Sequence, residues 1–385
     1  MTYYIPTQIH FGHNSLNDLR SIVNGYDTKK IFLITGKNFV KESGLQDRVL
    51  NLLAGGPKVF IYDQVSPIPR LEAVNNAVNE AKGYQPDLII GFGGGSVLDT
   101  SKIVSIMLKN PGKILDYHSN KEIKNKGVNL IAIPTTAGTG SEVTPFAAFY
   151  YNNRKKSFGK LGDYLVYPNH AIVDPELTFT MPKELTASTG LDALSQALES
   201  YWSINSNSLS DTHAIRAMKL VLENLDYAYE RPDDEEARFN MSIASLEAGL
   251  AFSHTATTAP HSVSYPMTAH FNLSHGFACA LTLPEFLLYN YDIKEQDCSD
   301  KRGDKFVKKR VEGLVYSDLG FTSINHFYEG IRKLMRKINA PLTLTEAGID
   351  NIEVILNEGF SPERMENNPR KVTREALKEI LEKIN

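Results

Sequence analysis

The chain has 385 residues, 42% of them hydrophobic and 22% charged, which is typical of an ordinary globular protein of about two domains. Its 41 Lys and Arg and 45 Asp and Glu give a net charge of -4, which argues against nucleic acid or an anionic membrane as a partner. No apolar run approaches the ~18 residues of a membrane span, and residues 1–12 do not resemble a secretory leader. Cys279 and Cys298 are therefore expected to be reduced thiols of a cytoplasmic protein.

The first half of the chain alternates short β-branched apolar runs with helical patterns. This alternation predicts a doubly wound, parallel α/β domain over residues 1–180. Segments 3–12 and 146–153 are expected to add edge strands. The predicted buried strands are residues 29–35, 58–65, 87–93, 129–135 and 170–175, with helices at 70–84 and 96–108 between them.

The pattern changes after about residue 180. Long amphipathic or wholly apolar helical stretches follow, with no good strand run among them, and they predict an all-helical domain over residues 181–385. The charge-rich segment 294–310 is expected to be a solvated loop that leads into a helix.

Two loops rich in small residues follow predicted strands. In the first, glycines lead into a helix that Ser96 could cap, and both the glycines and the helix N-terminus suit a phosphate. A tight strand–helix turn with no ligand is the alternative, because the third glycine of the dinucleotide fingerprint is Ser96. The second loop, residues 133–146, would face the same crevice at the carboxyl edge of the sheet.

Four of the ten histidines lie within residues 254–275. In one continuous helix His261 and His275 would be about 21 Å apart, too far to share an ion. Asn272 and Ser274 are good cap residues, so each histidine is instead expected near the start of its own helix. With Asp192 they would suit a divalent transition ion. The alternative is ordinary hydrogen-bonded histidines, since ligands on different helices form no closed motif.

Four motifs resemble the iron-containing (group III) alcohol dehydrogenase family: GGGSVLDTSK, IPTTAGTGSEVT, ELTASTGLDALSQALESY and HSVSYPMTAHFNLSHG. The resemblance covers nearly the whole chain. It implies a dehydroquinate synthase-like architecture, in which an N-terminal dinucleotide-binding α/β domain precedes a C-terminal helical domain and a metal lies in the cleft. It also suggests a homodimer.

The resemblance implies roles for residues in the first domain. Lys156 resembles a basic residue near the nicotinamide. Where relatives that use NAD(H) carry an acid, this chain has Gly36 and Lys37, which favours NADP(H). The remaining residues that resemble cofactor positions are Gly94, Gly95, Ser96, Asp99, Thr135, Thr136, Thr139, Ser141 and Val143.

In the second domain Asp192, His261 and His275 fall on the family's ligand positions for Fe²⁺ or Zn²⁺. Gln196 stands where the family's fourth ligand is usually histidine, and its amide oxygen is a weaker ligand. Tyr265 stands where many members carry a histidine thought to pass protons, and its hydroxyl could serve as the relay.

A finer resemblance is to phosphonoacetaldehyde reductases. It implies that NADPH reduces phosphonoacetaldehyde to 2-hydroxyethylphosphonate with the help of a metal. The phosphonate would need cations or dense donors, and the sequence offers Arg154, His254, Thr257 and Thr258. The basic run 152–160 is equally well explained as a solvated loop. Two alternatives are a general short-chain aldehyde reductase and a metal-free nucleotide-binding protein without redox activity.

Overall fold

A computed structural model describes residues 3–118 and 121–385. The chain divides into two compact units, Met1–Met181 and Pro182–Asn385. The first is an α/β unit and the second is helical, as the change of pattern near residue 180 predicts.

Six parallel strands form the main sheet of the first unit, in the order β1-β8-β5-β4-β2-β3. Two further strands, β6 and β7, form an antiparallel pair. The strands are β1 Gln8–Phe11, β2 Lys30–Gly36, β3 Lys58–Val65, β4 Leu88–Gly93, β5 Asn129–Pro134, β6 Ala147–Tyr151, β7 Arg154–Phe158 and β8 His170–Val173.

The central strands are buried on both faces, which explains their continuous apolar sequence. Along β4 the side chains alternate between two cores. Ile89 packs into one core, while Leu88 and Ile90 pack into the other. Strand β1 lies at the edge of the sheet, as predicted.

Two local features of this unit differ in part from what the sequence suggested. Segment 146–153 is not an edge strand of the main sheet, because β6 pairs with β7. The basic run 152–160 is not simply a solvated loop, because Arg154–Phe158 is itself a strand. Asn152 and Asn153, both with positive φ, make the tight turn between the two strands, and such turns tolerate asparagine.

Helices complete both units. In the first unit they are α1 Leu19–Asn24, α2 Phe39–Glu42, α3 Leu45–Leu53, α4 Leu71–Tyr84, α5 Gly95–Met107 and α6 Ile114–His118. In the second they are α7 Lys183–Trp202, α8 Ser208–Glu230, α9 Glu235–Thr255, α10 Ala259–Phe271, α11 His275–Tyr291, α12 Asp304–Glu312, α13 Ile324–Lys337, α14 Ile352–Glu358, α15 Pro362–Met365 and α16 Arg374–Lys383. A π-helical turn, Gly313–Asp318, follows α12. Within the described part of the chain, no helix combines the length and apolar character that crossing a membrane requires.

Helix α7 is the centre of the second unit. All its residues from Thr186 to Trp202 are buried, so it packs against neighbours on every side. It nevertheless carries Asp192, Gln196 and Glu199 inside this core. Buried polar and charged groups are costly unless they are paired, so their presence on a core helix points to a functional site.

Candidate active site

The two predicted cofactor loops contact each other in the first unit. A side-chain carbon added to Gly94 would lie 3.3 Å from the methyl carbon of Thr136. One added to Gly95 would lie 2.7 Å from the methyl carbon of Thr139, closer than such atoms approach. The glycines therefore let the loop after β5 pack directly onto the turn after β4.

The start of α5 differs from the prediction in one detail. Gly94, not Ser96, is the cap residue, and the Ser96 hydroxyl donates to the carbonyl of Pro67 at 2.6 Å. Among the described residues, no side chain caps this helix. Beside it, the buried Thr136 hydroxyl has no hydrogen-bond partner in the described structure. An uncapped helix start with a spare hydroxyl fits the pyrophosphate of a dinucleotide.

Asp99 holds the second loop in place. Its carboxylate accepts hydrogen bonds from the Ser141 hydroxyl at 2.6 Å and from the Ala148 amide at 2.8 Å. The Thr135 amide donates to the carbonyl of Gly93, and Val143 is fully buried. These contacts bind the two predicted cofactor loops together, and the cofactor roles of the residues stay predictions.

The remaining predicted cofactor residues lie at two places in the first unit. Gly36 ends β2, and the exposed Lys37 follows it with no acid at either position. Lys156 pairs with Phe149 on the β6–β7 hairpin and is half-buried, while Arg154 on the same strand is exposed.

In the second unit, Glu199 organises the start of α10. One of its oxygens accepts hydrogen bonds from the Thr258 amide at 2.7 Å and the Thr258 hydroxyl at 3.0 Å. The other lies 2.5 Å from Nδ1 of His261. With Nδ1 placed to donate to this carboxylate, Nε2 is the nitrogen left for a metal, which is the arrangement usual for a histidine that binds a metal.

Helix starts at His275 and close to His261 confirm the predicted break between them. Asn272 ends α10 in the left-handed conformation, and Ser274 precedes α11. The two imidazole rings lie 5.3 Å apart, nearly perpendicular. Nε2 of His261 is 3.4 Å from Oδ1 of Asp192.

The side chains of Asp192, His261 and His275 form one cluster with that of Cys279, here called the metal cluster. One ligand atom from each of Asp192, His261, His275 and Cys279 lies within 4.8 Å of all the others. Oδ1 of Asp192 is buried and makes no hydrogen bond within the described structure. A carboxylate, two imidazoles and a thiol around one point fit a divalent transition ion.

The charges around His261 also favour a cation. Burial lowers the pKa of His261, but the Cys279 sulfur, the Glu199 carboxylate and the nearby Asp192 carboxylate outweigh burial and raise the pKa well above its usual value. Burial raises the pKa of the Cys279 thiol. A divalent ion would supply the positive charge that these surroundings stabilise.

Gly276 brings α11 onto α7. A side-chain carbon at this position would lie 1.7 Å from the carbonyl oxygen of Ser188 and 3.1 Å from the amide nitrogen of Asp192. Only glycine allows this approach, because the obstacle is backbone that cannot rotate away. Because Gly276 has no side chain, α11 can approach α7 closely enough to bring His275 near Asp192.

Tyr265 lies next to the metal cluster, one turn after His261. Its ring stacks on His275 with centroids 6.2 Å apart. Nε of Arg364, on α15, donates to the Tyr265 hydroxyl at 3.2 Å. The candidate proton relay therefore lies between an imidazole of the metal cluster and a guanidinium.

Three predicted substrate residues lie in the second unit. The Thr258 hydroxyl donates to Glu199 and accepts from the Trp202 ring nitrogen at 2.8 Å, so it has no proton left for a substrate. Thr257 is buried, and its carbonyl accepts from Asn367 at 3.1 Å. Nδ1 of His254 lies 2.9 Å from the Ser253 hydroxyl. Their role in holding the substrate stays a prediction.

Sequence reasoning missed three residues of this site. Glu199 and Cys279 had readable signals, because Glu199 follows Asp192 by seven residues and Cys279 follows His275 by four, so each pair shares a helix face. Arg364 had no such signal. It lies 99 residues from Tyr265 in the sequence, and only the fold brings them together.

Comparison with known proteins agrees with this geometry. Residues 6–175 match the family described as iron-containing alcohol dehydrogenase, and residues 186–385 match its C-terminal domain. The NADPH-dependent butanol dehydrogenase of Clostridium saccharobutylicum is 32% identical, over 99% of this chain and 97% of that protein. The sulfoacetaldehyde reductase of Bilophila wadsworthia is 29% identical, over 99% and 98%.

Among solved structures, the sulfoacetaldehyde reductase from Bifidobacterium kashiwanohense in complex with NAD⁺ superposes with a TM-score of 0.89. It is 31% identical, and the match covers 100% of this chain and 98% of that one. The sequence matches span both units, and the fold agrees throughout. The chain therefore belongs to the iron-containing alcohol dehydrogenase family and is an NAD(P)-dependent oxidoreductase.

Proposed function

We propose that this enzyme uses NADPH to reduce phosphonoacetaldehyde to 2-hydroxyethylphosphonate. The observation that carries the proposal is the metal cluster of Asp192, His261 and His275 beside the Tyr265–Arg364 pair. When bound, the metal would polarise the aldehyde carbonyl and NADPH would supply the hydride.

The residues of the second unit would bind and orient the aldehyde. Asp192, His261 and His275 would hold the ion, and Glu199 would fix the orientation of the His261 ring through Nδ1. The Tyr265 hydroxyl would pass the proton that the product alcohol needs, with its position set by the hydrogen bond from Arg364.

Arg364 supports an anionic substrate. Its guanidinium is always charged and offers donors in the fork geometry that suits a phosphonate or sulfonate. Arg364 contacts Tyr265, which stacks on His275 of the metal cluster. A two-carbon aldehyde with an anionic end could therefore reach both Arg364 and the metal cluster. The similarity to two sulfoacetaldehyde reductases supports the same substrate class, since a sulfonate replaces the phosphonate in that aldehyde.

The first unit supports NADP(H). Gly36 and Lys37 at the end of β2 carry no acid that would repel a 2′-phosphate, and Lys37 is exposed. The NADPH-dependent butanol dehydrogenase supports this choice, whereas the NAD⁺ complex of the Bifidobacterium protein supports the other cofactor. The predicted cytoplasmic location and homodimer stay predictions.

A general short-chain aldehyde reductase is the second candidate, because the butanol dehydrogenase is also a relative over nearly the full chain. Initial rates with phosphonoacetaldehyde, sulfoacetaldehyde, butanal and lactaldehyde, each with NADPH and with NADH, separate the two. We expect the highest kcat/KM with phosphonoacetaldehyde and NADPH. A higher value for either neutral aldehyde would overturn the substrate, and a higher value with NADH would overturn the cofactor.

A further inference from the structure

Cys279 lies one helical turn after His275 on α11, on the same face of the helix. It is fully buried. Its sulfur is 3.9 Å from each of the two ring nitrogens of His275 and belongs to the metal cluster with Asp192 and His261. Nothing in the sequence distinguishes this cysteine from Cys298, which is only partly buried and whose thiol donates a hydrogen bond to the carbonyl of Asp300.

The spacing of the cluster suits a four-coordinate ion. Tetrahedral zinc, with bonds of about 2.3 Å to sulfur and about 2.0–2.1 Å to nitrogen and oxygen, separates sulfur from nitrogen by about 3.6 Å and nitrogen from oxygen by about 3.4 Å. The corresponding separations here are 3.9 Å for Cys279–His275 and 3.4 Å for His261–Asp192. No ligand pair exceeds 4.8 Å, so contraction by about 1.5 Å or less would close the site.

A second observation points to a ligand at this position. Oδ1 of Asp192 is buried, makes no hydrogen bond within the described structure, and lies 3.4 Å from Nε2 of His261. Burying a carboxylate oxygen without a hydrogen bond costs free energy of folding unless an ion or a donor binds it. The thiol and the carboxylate thus converge on one point from two different helices.

We propose that the Cys279 thiolate is a ligand of the metal, in a site formed by one carboxylate, two imidazoles and one sulfur. This rests on the proposed metal centre and adds a sulfur ligand that the sequence did not predict. On binding, the metal–sulfur bond forms as the thiol proton leaves to solvent, with no change of oxidation state. Because thiolate is a soft ligand, the site favours zinc over Fe²⁺ more strongly than an oxygen ligand would.

Cobalt substitution tests this directly. The protein is stripped of metal and loaded with Co²⁺, and the near-ultraviolet sulfur-to-cobalt charge-transfer absorption is recorded for the wild type, Cys279→Ser, Gln196→Ala and Cys298→Ser. We expect the band in the wild type, Gln196→Ala and the matched control Cys298→Ser, and its loss in Cys279→Ser. The band would then come from this one sulfur.

The outcomes separate this inference from the proposed function. Bound cobalt without the band in the wild type, or a band that persists in Cys279→Ser, overturns the thiolate ligand and leaves the metal centre standing. Failure of the wild type to bind cobalt or zinc overturns both. Should Cys279→Ser not fold, X-ray absorption of the zinc-loaded wild type decides, with one sulfur at about 2.3 Å expected and a shell of nitrogen and oxygen alone contradicting the assignment.

Discussion

The cofactor loops of the first unit and the metal cluster of the second unit are built in different ways. Gly94 and Gly95 belong to one unbroken strand–turn–helix, and they meet only movable side chains of the neighbouring loop. The cluster takes its side chains from three helices, and its geometry depends on Gly276 meeting the backbone of α7. A local motif tolerates small shifts, whereas an assembled site depends on rigid contacts made elsewhere in the fold.

Removing one imidazole nitrogen from the assembled site should have the largest effect. In His261→Asn the amide keeps a donor near the position of Nδ1 for Glu199 and loses Nε2 from the cluster. We expect loss of the metal and a fall of about 10³-fold or more in kcat/KM. Metal analysis and steady-state kinetics measure both.

His270→Ala is the matched control for His261→Asn. Its ring pairs with Glu358 at 3.0 Å and lies partly exposed, away from the cluster. It should keep both metal and activity. A His261→Asn protein that retains its metal would show that the cluster is not the metal site.

Gly276→Ala should be the most damaging substitution among the glycines of the two sites. Its methyl group meets the Ser188 carbonyl at 1.7 Å, so α11 must move away from α7. We expect a loss of about 3 kcal/mol in the free energy of unfolding, measured by urea denaturation, together with weaker metal binding. Gly313→Ala, where nothing lies within 4 Å, is the control and should change stability by less than about 1 kcal/mol.

Arg364→Gln should lower activity far more with charged substrates than with neutral ones. Loss of a charge-assisted hydrogen bond to the phosphonate would cost about 2 kcal/mol, or about 30-fold in kcat/KM for phosphonoacetaldehyde. Butanal should change by less than about 3-fold, because its apolar chain does not use the cation. Arg336→Gln, a substitution of an exposed arginine, is the control. An equal fall for both aldehydes would leave Arg364 only its role in positioning Tyr265.

Gly95→Ala should have the smallest effect, and a second substitution should restore the lost stability. The new methyl group meets the methyl carbon of Thr139 at 2.7 Å, and this atom belongs to a side chain. We expect a loss of about 1 kcal/mol in the free energy of unfolding and weaker NADPH binding, with stability restored in the double variant Gly95→Ala/Thr139→Ser. No second substitution should restore the stability of Gly276→Ala in this way, because its methyl group meets backbone atoms. Stability restored there by truncating a side chain would contradict the difference drawn between the two sites.

The order of elements and the helix starts at the two histidines could be predicted because the signals are local. Alternating apolar runs predict parallel strands, and Asn272 and Ser274 predict the break between α10 and α11. The pairing of β6 with β7 could not be predicted from such local signals. An isolated apolar run such as Ala147–Tyr151 can join either the main sheet or a hairpin, and only tertiary packing decides.

By itself, the sequence determined the parallel α/β unit, the helical unit, the two small-residue loops and the residue types that a metal requires, because periodicity, glycine and cap residues act over a few positions. Tertiary structure alone decided that Cys279 joins the cluster, that Glu199 fixes His261, and that Arg364 reaches Tyr265. These contacts depend on how closely whole helices approach one another, and that distance is set by packing across the fold.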